Sequence, residues 1–406
     1  MAPTGMPAMS PLAVLPVTIK LPVTLDGEGW HRVQANHRML RGGHFAASMR
    51  RAVAPWPDDH NGGAAMRVTA LGMGQWLLGL LVTVVGLWGA GVMAFHLPGL
   101  PGKGLLLAWS VATLALLWAI WRGSTRTRSL TGTVFLLGLL LVSLGWSRIV
   151  PLQDRHWADD VARRLQVVSF DGRHVVLDNV RNFRWRTPED YDGAWERRSY
   201  DLDQLRSADV LLSYWMGPLI AHTLVSFGFE DGRQLVFSLE IRKESHEQFD
   251  SLAGFFRRYE VTLVAADERD IVATRTNARG EDVYLYRVSG LDQPALRGLF
   301  EAYLAQAVAL DAAPAFYNTL TSNCTTIVWE LARRVAPGLP LDWRLLASGY
   351  FAEYVHDQGG LVPGVPMARL RQAGRITERA RAAGDGPEFS RSIRAGVPGI
   401  SDGGEQ

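Results

Sequence analysis

Three long stretches in the first part of this chain carry no charge, and that gap constrains the fold more than any other feature. Between Arg67 and Lys103 lie thirty-five residues without Asp, Glu, Lys or Arg; eighteen follow between Lys103 and Arg122, and nineteen between Arg128 and Arg148. A bilayer core takes roughly 20 apolar residues in helix, and lipid offers no partner to an unpaired backbone group. Membrane helices are therefore predicted at Ala70–Phe95, Gly104–Trp121 and Leu130–Trp146. Trp76, Trp121 and Trp146 fall near their ends, where indole rings favour the interface. Three such runs in succession are hard to hide in the core of a small soluble domain.

The connectors set an orientation. Seven Lys or Arg precede the first run, Lys103 alone lies between the first and second, and Arg122, Arg126 and Arg128 lie between the second and third. The positive-inside rule puts the N-terminus and the second connector in the cytoplasm, and everything after Trp146 outside, in the periplasm of a Gram-negative cell. The expected location is a bacterial inner membrane, crossed three times. No charge sits inside the helices, so they read as an anchor rather than a transport path. The overall mean hydropathy of +0.02 averages this anchor with a charged remainder.

Four segments follow from composition. Residues 1–66 are rich in Pro, Ala and Gly and lack a signal-peptide pattern. They are expected to be disordered or a mis-assigned extension, with Met49 or Met66 as alternative starts. Residues 67–147 form the anchor, 148–382 a periplasmic domain, and 383–406 a Gly/Ser-rich tail expected to be disordered. In the domain, Val167–Phe170, His174–Leu177, His222–Phe229, Gln234–Arg242, Glu260–Val264 and Asp282–Val288 read as strands. A helix capped by Asp292 and another starting at Asn323-Cys324 read from period and capping. Strands first and helices afterwards predict an α+β domain. Forty-two basic against forty acidic side chains give no support to nucleic-acid binding. There is no His/Glu zinc pattern and no phosphate-binding glycine loop, so no metal or nucleotide cofactor is expected.

Cys324 is the single cysteine of 406 residues, which excludes a disulfide within the chain. It stands where a polar loop enters an apolar-faced helix, and a helix N-terminus lowers a thiol pKa and offers N–H groups to an oxyanion. A small buried hydrophobe is the other fate open to a free cysteine. A thiol catalyst needs a base, and the candidates downstream are His156, His174, His222, His246 and His356. If Glu230-Asp231-Gly232 is a three-residue loop with Gly232 left-handed, Phe229 pairs with Arg233 and His222 faces Glu240 across the ladder. A two-residue Asp231-Gly232 turn instead shifts the register by one and puts the two on opposite faces. Arg242, Arg269 and Arg275 are candidates for a phosphate head group, with solvation or ion pairing as the ordinary alternative.

The segments Asn179-Val-Arg-Asn-Phe-Arg-Trp-Arg, Ala221-His-Thr-Leu-Val-Ser-Phe-Gly-Phe, Phe237-Ser-Leu-Glu-Ile-Arg, Ala266-Asp-Glu-Arg-Asp, Asp282-Val-Tyr-Leu-Tyr and Phe316-Tyr-Asn-Thr-Leu-Thr-Ser-Asn-Cys-Thr-Thr occur in this order. Together, from about Asp154 to Val335, they resemble the family of the Lnb N-terminal periplasmic domain. That family resembles permuted papain-like thiol enzymes and is associated with lipoprotein N-acylation in bacteria. The resemblance implies Cys324 as nucleophile, His222 as general base and Glu240 as orienter, with Asp267 or Glu268 as alternatives for the last role. Asn323 and Thr325 are then the candidates beside the oxyanion. The expectation is a membrane-anchored thiol acyltransferase whose partners are membrane lipid and lipoprotein. Its rivals are a cysteine peptidase or amidase of cell-wall peptide and a non-catalytic tethered scaffold.

Overall fold

The computed structural model describes residues 61–400, so the expectations for residues 1–60 and 401–406 lie outside it. Three long helices come first: α1 (Asn61–His96), α2 (Gly99–Arg122) and α3 (Thr125–Arg148). All three are long and apolar enough to cross a membrane. They outrun the predicted spans by a turn or more, because helix continues through polar flanks once nucleated. Two compact units divide the described chain. One is built from residues up to Trp88 together with Trp109–Leu136, and the other from Gly89–Ala108 and everything from Leu137 on.

Within the first unit the helices touch through aromatic rings and small residues. Trp76 meets Trp121 edge-on at 4.5 Å, Trp109 stacks on Phe135 at 4.9 Å, and the Trp109 indole donates to the Gly86 carbonyl at 2.8 Å. Leucines such as Leu77, Leu81, Leu114, Leu130 and Leu136 point outward and stay uncovered. Apolar residues left bare along a helix suit a lipid surround and would be a liability in water.

The second unit is organised by one sheet. Its strands are β1 (Gln166–Phe170), β2 (His174–Arg181), β5 (Trp195–Asp201), β6 (Leu205–Tyr214), β7 (Ala221–Phe229), β8 (Gln234–Arg242), β9 (Glu260–Asp267) and β10 (Asp282–Arg287). A short side ribbon pairs β3 (Arg184–Trp185) with β4 (Tyr191–Asp192). The main order is β1-β2-β9-β8-β7-β6-β10, with β5 also on β2; every pair is antiparallel except β2 with β9. Helices α4 (Glu268–Ala273), α5 (Gln293–Ala312), α6 (Cys324–Ala332), α7 (Phe351–Asp357), α8 (Met367–Gly374), α9 (Thr377–Ala383) and α10 (Phe389–Arg394) complete it.

Both faces of the sheet are covered. On one, Phe227 and Phe237 pack edge-on and stacked against Phe300 and Tyr303 of α5, with Ile327 and Val328 of α6 in the same cluster. On the other, Leu211, Leu224, Val236 and Val264 meet Ile271 of α4, Ala380 of α9, and Phe389 and Ile393 of α10. Every residue of β7 is therefore buried, as expected of a strand with no solvent face. The fold is α+β, with three apolar helices preceding a sheet-rich domain.

Two sequence expectations change. Strand β6, next to the site strand, is absent from the predicted set because Asp209 interrupts its apolar run. That carboxylate is fully buried and paired with Arg394 at 2.7 Å and Arg287 at 2.6 Å. The segment from 383 to 400, expected to be a disordered tail, is folded. Phe389, Ile393 and Val397 recur every four residues and are buried, a short apolar stripe that the Gly/Ser-rich composition around it masks.

Candidate active site

The β7–β8 hairpin positions the first two groups. Gly232 has φ +84°, and the Phe229 N–H donates to the Arg233 carbonyl at 3.0 Å, closing the loop over Glu230-Asp231-Gly232. Only a residue at ease with positive φ closes this three-residue turn cheaply. The ladder then runs from Gly228 opposite Gln234 to Leu224 opposite Ser238. Continuing that count puts His222 opposite Glu240, and their side chains meet, with Nε2 to Oε1 at 3.2 Å. The two-residue alternative does not occur.

Helix α6 positions the third group. Asn323 caps it: its side-chain oxygen accepts from the Thr325 and Thr326 N–H groups at 2.9 and 2.8 Å, while the Thr326 hydroxyl accepts from the Asn323 N–H at 2.9 Å. This reciprocal capping box fixes the first turn. Cys324 is its first residue, 7% exposed. The thiol lies 3.8 Å from the Thr325 hydroxyl and close enough to the His222 imidazole for each to shift the other's titration. A threonine pair, Thr223 with Thr325 at 2.9 Å between hydroxyls, ties the helix start to β7.

Two residues that the sequence did not assign to this cluster complete the arrangement. The Ser238 hydroxyl bridges His222 Nε2 and Glu240 Oε1, at 2.7 Å to each. Arg275 Nη2 donates to the same carboxylate oxygen at 2.7 Å and also faces Glu281 at 3.5 Å. Ser238 was legible in principle, since it shares a face with Glu240 two positions on. Arg275 was not, because it arrives from a π-turn at Thr274–Ala278 after α4.

The electrostatics follow from this order of charges. Burial, the largest influence, and Arg275 would lower the His222 pKa, but the Glu240 carboxylate and Cys324 together raise the imidazole to about 9. Burial would raise Glu240, yet His222 and Arg275 hold it well below the usual carboxylate range. Burial would likewise raise the Cys324 thiol, and the imidazolium beside it brings the thiol below its ordinary value. Tyr317 nearby is pushed upward, by burial first and then by the negative charge at Cys324 and Glu240, and stays a neutral phenol. A thiolate paired with an imidazolium, itself held by a carboxylate, is an activated nucleophile.

The remaining sequence candidates are placed elsewhere. Asp267 caps α4 and pairs with Arg198 at 3.0 Å. Glu268 binds Ser226 at 2.8 Å and Arg394 at 2.5 Å. Neither faces His222. Arg242 spends its donors on the Val161 and Ala162 carbonyls, at 3.1 and 2.7 Å, and stacks on Trp157. Arg269 faces Asp267 and Asn182. With Arg275 on Glu240, the three arginines form no phosphate cluster. His174 and His246 are exposed near acidic side chains, and His356 contacts the Val365 carbonyl.

Asn323 is also the cap of its helix. Its oxygen takes the two capping N–H groups, and one of its two amide N–H donors goes to the Thr319 carbonyl at 2.9 Å. Thr325 is fully buried with both its N–H and its hydroxyl engaged. At the helix start, the Cys324 N–H is the group without an acceptor among the described residues.

Residues 191–349 match the family model of the Lnb N-terminal periplasmic domain. That stretch contains His222, Ser238, Glu240, Arg275 and Cys324, while the Asn179–Arg186 block lies before it. No curated protein and no solved structure matches the chain. Three helices able to cross a membrane, joined to a domain of periplasmic type, make this a membrane protein with a periplasmic domain.

Proposed function

We propose that this protein is a membrane-anchored thiol acyltransferase that takes acyl groups from bacterial lipoprotein or phospholipid esters. The observation that carries this reading is the side-chain relay Cys324–His222–Glu240, assembled at a helix N-terminus in a domain tethered to the membrane. The chain order of histidine, carboxylate and cysteine suits a permuted papain-like enzyme. The excess of arginine between α2 and α3 supports a cytoplasmic N-terminus and a periplasmic sheet domain.

The chemistry balances with the groups present. The Cys324 thiolate attacks the ester carbonyl carbon, and the Cys324 N–H is placed to stabilise the oxyanion. The His222 imidazolium gives its proton to the departing alkoxide, leaving an acyl thioester and a lysolipid. An amine then attacks the thioester, His222 accepts its proton, and the thiolate returns as the amide forms. Glu240 holds the imidazolium throughout, and Ser238 spans the two.

Mass analysis of Cys324 in membranes tests this. A fatty acyl thioester on Cys324, absent in Cys324→Ala and strongly reduced in His222→Asn, is expected. A peptide adduct would point to a peptidase or amidase instead. No adduct, with lipoprotein acylation unchanged in Cys324→Ala cells, would refute both enzymes. External protease on spheroplasts should cut the sheet domain; protection would reverse the orientation.

A further inference from the structure

The relay lies at the end of the sheet where three loops meet, and each loop bears large apolar side chains that nothing covers. Trp215, Met216 and Leu219 precede His222. Phe249 and Leu252 follow Glu240 beyond the end of β8, and Leu320 precedes Cys324. All six are between 42% and 62% exposed. The loops are knit to one another: the Trp215 and Phe249 rings meet edge-on at 6.3 Å, and the Thr319 hydroxyl donates to the Ser251 carbonyl at 3.2 Å. Gly349 lies so close to the Pro218 carbonyl that a Cβ there would collide with it. These residues form one lip around the relay rather than scattered surface apolars.

The same lip is continuous with the ends of the membrane helices. A few residues past Leu252, Phe256 stacks on Phe95 of α1 at 5.2 Å, and its carbonyl accepts from His96 Nε2 at 2.5 Å. Arg258 donates to the Phe95 carbonyl at 3.2 Å, and the Arg257 guanidinium covers the Trp146 ring at 4.5 Å. Gly91 leaves no room for a Cβ against Phe256. Tryptophan and arginine at a helix end mark the interfacial zone, so Phe249 and Leu252 are held next to it by the backbone between them.

We infer that this lip seats in the bilayer surface on the domain's side and that lipid acyl chains enter across it to reach Cys324. An exposed apolar patch of this kind is costly in water and favourable in the acyl boundary. Delivery to the thiol rests on the acyltransferase reading above; the seating in lipid does not.

The test uses the full chain in phosphatidylethanolamine–phosphatidylglycerol vesicles with a lipid nitroxide-labelled near the head of its acyl chain. In a Cys324→Ser background, a fluorophore is placed by Leu252→Cys, by Leu320→Cys, or by Glu230→Cys at the hairpin tip. That tip lies about 26 Å along the strand direction from His222. Quenching is expected to be several-fold stronger at 252 and 320 than at 230. Equal quenching at all three overturns the lip. A second measurement, the partitioning of a Trp215→Ser/Leu252→Ser/Leu320→Ser chain, reads the acyl path as thioester yield from vesicle lipid. That yield is expected to fall on the order of tenfold, as loss of apolar contact area predicts. An unchanged yield overturns entry across the lip. Strong quenching without any thioester in the native chain would sink the acyltransferase reading and leave the seating standing.

Discussion

Glu240 governs the charge state of the thiol from one residue away. Its carboxylate keeps His222 protonated against burial, and the imidazolium in turn keeps Cys324 ionised. In Glu240→Gln, burial is left as the main influence on His222, so the imidazole pKa falls and the thiol pKa rises. Alkylation of Cys324 near neutral pH is expected to slow on the order of tenfold, one unit of thiol pKa being a tenfold change in thiolate. An unaltered pH profile of alkylation would remove Glu240 from the relay. The sign of the native profile is also fixed. The His222 value lies above the ordinary 6.5, so its charge contributes stability at low pH and loses it as pH rises through about 9. The ion pair should therefore disappear on the alkaline side near that value.

At the scale of elements, hairpin and cap divide the work of placing the relay. Turn chemistry at Gly232 left two registers open, each with a different partner for His222, and the structure adopts the three-residue loop. Helix α6 starts where the sequence put it, at Asn323-Cys324. Asn323 caps that start: its oxygen takes the Thr325 and Thr326 N–H groups and one amide N–H goes to the Thr319 carbonyl. Asn323→Ala is expected to cost about 0.5–2 kcal/mol, seen as a lower thermal midpoint. Asn323→Ser, which can still cap, should recover most of both stability and Cys324 alkylation. A serine variant that is stable yet inert would point to the oxyanion role.

Across the whole molecule, the C-terminal segment closes the far face of the sheet. Arg394 reaches Asp209 on β6 at 2.7 Å and Glu268 on α4 at 2.5 Å, with all three side chains buried. Arg394→Met leaves buried Glu268 without its arginine and Asp209 with Arg287 alone, and is expected to destabilise the domain by about 3–5 kcal/mol, measured by chemical denaturation of the full chain. Neutralising Asp209 and Glu268 together with Arg394 should recover much of that loss. If the single variant unfolds at the native midpoint, this segment is not part of the cooperative fold. The same cluster explains why β6 was missed from sequence: an aspartate in a central strand is tolerable only when an arginine from far along the chain meets it.

The sequence by itself determined whatever depends on local rules. Charge-free runs dictate membrane helices because lipid forbids unpaired backbone. Turn chemistry at Gly232 narrows the strand register to two choices, and capping chemistry dictates where the thiol's helix begins. Tertiary structure decided whatever requires residues distant in the chain to meet. It brought Cys324 to His222 across about a hundred residues and delivered Arg275 to Glu240 from a π-turn. It also chose Glu240 over Asp267 and Glu268 by engaging those two elsewhere. Such pairings are set by packing both faces of one sheet, and no local pattern encodes them.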